Sequence, residues 1–110
     1  MVTATLAATE TDGTLVCELT VENDGDGPVS LQFSDTQRAE FVVERDGETA
    51  WRWSDGRMFG QALGSVDLAP GETATFEGGW DDPPAGDYHV RGELVANDAD
   101  ADATTTATVS

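Results

Sequence analysis

The chain has no lysine and no isoleucine, one histidine and one cysteine, and its cations are five arginines. Each shortage excludes something. Five arginines against 22 acidic residues leave a formal charge of −17, so no basic patch exists to neutralise a phosphate backbone. Nucleic-acid binding is therefore excluded. The same field repels an anionic membrane surface. No apolar run reaches the 18 residues of a spanning helix, and no basic, apolar leader precedes the first strand pattern, so neither a membrane span nor a signal peptide is expected. A lone Cys17 has no intramolecular disulfide partner, which points to a reducing, cytoplasmic setting.

What remains is 110 residues, 38% apolar, enough for one domain with a single core spanning residues 1–110. High acidity accompanies disorder in some chains, but here Leu, Val, Phe and Trp recur at strand spacing. The composition, with arginine in place of lysine and abundant Thr and Ala, is similar to that of proteins from a salt-filled halophilic cytoplasm. There, dense carboxylates preserve solubility when salt screens weaker fields.

Period-2 alternation dominates, with no helical stripe of useful length. Val2, Ala4, Leu6 and Ala8 alternate with polar or small neighbours, Asp12-Gly13 supplies a type I′ hairpin turn, and Leu15, Cys17, Leu19 and Val21 follow. A two-residue turn pairs Ala8 with Cys17, Leu6 with Leu19 and Ala4 with Val21 on one face, so turn chemistry and apolar pattern agree. Asn23 to Pro28 reads as a turn, and Val29, Leu31 and Phe33 as a short strand. Ala39 to Arg45 and Glu48 to Trp53 flank a second Asp-Gly pair. A plain two-residue register there sets Val42 opposite Trp51 and Val43 opposite Ala50, exposing apolar residues on both faces unless a bulge intervenes.

Val66 and Leu68 precede a Pro70-Gly71 turn of type II. Ala74, Phe76 and Trp80 mark the next strand, and Tyr88, Val90, Gly92 and Leu94 a late one. Thr104 to Val109 reads as a last strand or a frayed end. Eight or nine short strands at such spacing indicate an all-β fold, an antiparallel immunoglobulin-like sandwich. Gly86-Asp87-Tyr88 before a strand suits a tyrosine corner.

Four stretches carry a family resemblance: Leu31-Gln32-Phe33-Ser34 with Gln37; Phe41-Val42-Val43 before Asp46-Gly47; Trp51-Arg52-Trp53-Ser54 running on to Met58-Phe59-Gly60-Gln61-Ala62-Leu63; and Leu68-Ala69-Pro70-Gly71-Glu72. With Trp80 and Pro84 to Val90 they span about Leu15 to Ala96. In this order they resemble the Bacillus intracellular proteinase inhibitor family, the BsuPI domain. The resemblance implies an intracellular β-sandwich that binds a serine proteinase of the subtilisin type, has no catalytic centre and needs no cofactor. The competing reading is a generic interaction domain with no proteinase target.

The residues themselves agree with an absent catalytic centre. Cys17 sits on the apolar phase of its strand and reads as a core residue. His89 lies on the polar phase of a distant strand, so neither a Cys-His nor a Ser-His-Asp arrangement assembles. Asp98, Asp100 and Asp102 begin like a calcium loop, but Ala103 stands where the turn glycine belongs and Val109 where the bidentate glutamate belongs, so no metal site is expected. Trp51, Trp53 and Trp80 are expected in the interior, with Trp51 partly exposed; the other reading is a sugar or peptide groove.

Ser54 to Leu63 is the segment with competing uses. It is either a crossover tucking Met58 and Phe59 into the sandwich edge or a presented segment. In the second reading Phe59 and Leu63 anchor it while Arg57, Met58 and Gln61 face a partner. Arg57, Met58 and Gln61 are the candidate partner-binding residues, on a chain expected to be monomeric.

Overall fold

A computed structural model describes residues 2–34, 37–56, 58–60, 63–97 and 99–110. Nine strands follow in order: β1 (Val2–Thr11), β2 (Thr14–Asn23), β3 (Val29–Phe33), β4 (Ala39–Arg45), β5 (Glu48–Arg52), β6 (Gly64–Leu68), β7 (Thr73–Asp81), β8 (Gly86–Leu94) and β9 (Asp102–Val109). No helix occurs among the described residues. One sheet has the order β1-β2-β7, the second β5-β4-β8-β9, and β3 and β6 pair separately. All six pairings are antiparallel.

The first hairpin has the register its turn demands. Asp12 and Gly13 both take positive φ, 51° and 80°, as a type I′ turn requires. Leu6 then faces Leu19, and Ala8 faces Cys17. The second Asp-Gly hairpin resolves its conflict with a bulge after Val43: Val43 faces Trp51, Val42 faces Arg52, and Glu44 faces Thr49. The extra residue turns Trp51 to the same face as buried Val43. Glu72 N–H donates to Ala69 O at 2.9 Å across Pro70-Gly71, with Gly71 at φ 85°, the type II geometry. The Thr-rich end is a true strand, β9, laddered along β8.

The core lies between the sheets. Leu15, Cys17, Leu19 and Val21 of β2, Phe41 and Val43 of β4, and Tyr88 and Val90 of β8 are fully or almost fully buried. The layers meet closely at Gly92, where an added Cβ would lie 3.1–3.4 Å from Leu6, Leu19 and Phe41. Tyr88 donates its hydroxyl to Pro84 O, so the corner expected before β8 is present. At one side β1 and β9 run beside each other. The opposite side, between β5 and β7, is closed by aromatic side chains.

Candidate functional site

The aromatic closure is built from alternation on two strands. Trp51 and Trp53 share a face at positions i and i+2. Trp51 stacks on Trp80 of β7 with centroids 5.7 Å apart and planes 7° from parallel. Trp80 in turn meets Tyr88 edge-on at 5.5 Å. Trp53 meets Phe41 edge-on at 6.4 Å, and its backbone N–H extends the β4 ladder to Phe41 O at 2.9 Å. All three tryptophans are half-buried and pack against the core, so Trp51 is partly exposed as expected, and Trp53 and Trp80 are partly exposed as well.

Gly78 makes room for this packing. A Cβ there would lie 2.7 Å from Trp53 Cδ1 and 2.8 Å from Phe41 Cδ2, and neither ring is a flexible chain end. We expect Gly78→Ala to cost about 1–3 kcal/mol through overpacking. Gly79→Ala is the control, since its Cβ meets only the Thr14 methyl at 3.1 Å. Thermal melts of both variants check this, with a marked fall expected for the first and a small one for the second.

Beyond Trp53 the chain leaves the sheet. Ser54 N–H donates to Glu40 Oε1 at 3.1 Å, and Asp55 N–H to Arg52 O at 3.1 Å. Glu40 also accepts from Phe41 N–H and lies 3.9 Å from Arg52. Gly56 then takes φ 76°, a left-handed turn that favours glycine. Phe59 returns to the aromatic cluster, its ring 5.5 Å from Trp53. Met58, beside it, is 99% exposed.

Of the predicted partner-binding residues, Met58 faces outward next to an anchored Phe59. Arg57 and Gln61 lie outside the described residues, as does Asp98 of the acidic run. One expectation is corrected: Leu63 is 88% exposed and anchors nothing. The physical reason lies in its neighbour, for Gly64 already begins β6 opposite Phe33, with the Arg38 guanidinium packed against the glycine where a side chain would sit. That guanidinium also stacks on Phe33 at 4.4 Å, a cation–π contact. The sequence reading did not single out Arg38; its signal was an arginine five residues after an inward phenylalanine.

Cys17 is buried, and loss of solvation pushes its thiol up to about 11, the opposite of an activated nucleophile. His89 is exposed on the outer face of β8, across from Thr106 of β9 and Glu44 of β4. No group of three or more metal-ligating side chains occurs among the described residues.

A second feature lies at this edge. Arg38, Ala39, Phe41, Trp53, Thr75 and Phe76, with Glu77, line an open cleft of about 300 Å³. It lies alongside the middle of β7.

Residues 2–99 match the family described as intracellular proteinase inhibitor, BsuPI. A search of curated proteins finds no match. Among solved structures, the chain is similar to the CARDB domain of a Pyrococcus furiosus protein in complex with di-metal ions. The TM-score is 0.52 at 16% identity, over 99% of this chain and 92% of that one. It is also similar to part of a Kluyveromyces marxianus β-glucosidase in complex with glucose, at TM-score 0.55 and 16% identity, covering 100% of this chain but 14% of the enzyme. These likenesses establish the immunoglobulin-like sandwich and nothing about chemistry.

Proposed function

The chain belongs to the BsuPI family of intracellular proteinase inhibitors, and on that premise we propose that it is a non-catalytic, monomeric protein-binding module. In this reading one domain, residues 1–110, inhibits a serine proteinase of the subtilisin type inside the cell. The observation that carries the reading is Met58, 99% exposed beside a Phe59 ring seated on Trp53. Leaving such an apolar side chain in water forgoes about 1.5–3 kcal/mol of burial. A partner's pocket recovers that, and an anchored neighbour lowers the ordering cost of presenting it.

Arg57 and Gln61 flank Met58 in sequence and are proposed as its companions in the contact. Arg57 is one of five cations on a chain of charge −17, so it orients the segment toward an acidic rim. Cys17 and His89 do not meet: Cys17 points into the core and His89 out to solvent.

The triple substitution Arg57→Ala, Met58→Ala and Gln61→Ala tests the reading. Melting in high salt should be unchanged, because Met58 is exposed, while inhibition of a subtilisin-type proteinase should weaken about tenfold or more. Undiminished inhibition by the folded variant would show that the segment serves only the fold. A parent that inhibits no such proteinase, yet draws other proteins from its lysate at high salt, would favour the generic interaction domain.

A further inference from the structure

Among the described residues no strand lies along the backbone edge of β7 that faces away from β2, and that edge has an alternating chemical pattern. Hydrogen bonds at both ends fix which groups face β2. Asp82 N–H donates to Gly13 O at one end; at the other, Asn23 N–H donates to Glu72 O and Gly71 N–H to Asn23 O. In an antiparallel ladder the groups alternate. With Leu19 opposite Phe76 and Cys17 opposite Gly78, Ala74, Phe76, Gly78 and Trp80 bond to β2. The backbone N–H and C=O groups of Thr73, Thr75, Glu77 and Gly79 therefore point away from it. Among the described residues β7 pairs with no other strand, and Thr73, Thr75 and Glu77 are exposed.

The side chains alternate with the same period. Phe76 points inward beside the cleft that Phe41 and Trp53 line. Glu77 points outward, directly opposite Glu18 of β2, a like-charged cross-strand pair that is destabilising as it stands. Neither carboxylate forms an ion pair among the described residues.

We propose that β7 is a docking edge for an extended, basic polypeptide segment that adds a strand to the β1-β2-β7 sheet. The occupant's chemistry follows from the alternation. Opposite Phe76 its side chain falls on the inner face and enters the cleft, so that residue is apolar. Its neighbours fall on the outer face beside Glu77 and Glu18, so they are Arg or Lys. The ladder supplies affinity and the alternating side chains specificity. A second copy of this chain is disfavoured, since it would bring a further −17 charge and a second Glu77 to the same edge. The proposal is independent of the proteinase reading, which rests on Met58.

The probe is the blocked peptide acetyl-Thr-Val-Arg-Leu-Arg-Val-Thr-amide, titrated into the full chain with tryptophan fluorescence and calorimetry as readouts. Saturable binding with a change in tryptophan emission is expected, since Trp53 lines the cleft. Thr75→Pro removes an outward N–H and keeps the backbone ladder to β2, giving up the Thr20–Thr75 hydroxyl bond of 3.2 Å on the outer face; proline is tolerated at such a position on an edge strand. Loss of the one or two edge hydrogen bonds should weaken binding about tenfold. Glu77→Lys should weaken the arginine peptide and restore binding to its glutamate counterpart. Should Thr75→Pro fail to fold, methylating the peptide amides that face β7 replaces it, with the same loss expected. No saturable binding by the parent, equal binding by Thr75→Pro or by the methylated peptide, or a β7-mediated dimer of the parent that Thr75→Pro dissolves would each overturn the proposal.

Discussion

Moved from molar KCl into dilute buffer, the protein should lose most of its stability and regain it when salt is restored. The charge is −17 on a body with a radius of gyration of 14.5 Å. At 10 mM salt the Debye length is about 30 Å, longer than the molecule's radius, so every carboxylate feels every other. At 1 M it is about 3 Å, and each charge sees only its neighbours. Attraction offers little offset, since five arginines face 22 acidic residues; Glu40–Arg52 and Arg91–Glu93 are ion pairs seen among the described residues. An exposed pair such as Arg91–Glu93 contributes about 0–1 kcal/mol, and Glu40–Arg52, with Glu40 largely buried, is 3.9 Å apart. Meanwhile Glu18 faces Glu77 on the outer face of β2 and β7, one repulsion that screening removes directly. Thermal melts from 10 mM to 2 M KCl check this. The midpoint should rise steeply at the low end and flatten once charges are screened, and a flat profile throughout would remove self-repulsion as a determinant of stability.

Most of the fold is written in local patterns, and the reason is visible in individual strands. The β1-β2 register was legible because Asp12-Gly13 admits one tight turn geometry and the apolar residues on both sides agree with it. The second hairpin carried a conflict instead: its turn and its apolar residues could not both be satisfied by a plain register. The bulge at Val43 is how the chain satisfies both. Which strands share a sheet was less accessible, because the pairing of β3 with β6 or β8 with β9 depends on long-range packing that no local window contains.

The candidate segment was legible in part for the same reason. Gly56 and the break after Trp53 mark a departure from the sheet, and Met58 beside Phe59 marks two large side chains with only one place to go. Which of them is buried depends on Trp53 being within reach, a tertiary fact. Hydrophobicity alone assigns Leu63 to the interior, but it is 88% exposed, and the position that lies against the Arg38 guanidinium is that of its neighbour Gly64. The β7 edge was invisible to pattern reading, since an open edge is defined by the strand that fails to appear beside it.

Asn23 shows how a turn residue becomes a structural centre, and it carries the largest single-residue effect expected. In sequence it begins an Asn-Asp-Gly turn. In the fold it is 0% exposed. Its Nδ2 donates to Gly27 O at 2.8 Å and Leu68 O at 2.9 Å, and its Oδ1 accepts from Gly25 N–H at 3.0 Å. Its own backbone bonds Glu72 and Gly71, so its side chain ties the end of β2 to the following turn and the end of β6, and its backbone adds the Pro70-Gly71 turn. Asn23→Ala strands the Leu68 carbonyl in a buried setting, a cost of about 1–3 kcal/mol, and frees the turn besides. Asn23→Asp should be worse at neutral pH despite its matching shape, because a buried carboxylate would face two carbonyl oxygens with no proton to offer. Burial and those oxygens raise the folded-state pKa of the introduced Asp above its unfolded value of about 3.9. Between the two pKa values the folded state binds more protons, so the deficit is full above the folded-state pKa and shrinks as pH falls from there toward the unfolded value and the protonated acid donates. Denaturant melts of both variants in high salt, compared at pH 7 and pH 5, check the sign. The Asp variant should gain on the Ala variant at the lower pH, and a gap independent of pH would mean that Asn23 is not held by its donated hydrogen bonds.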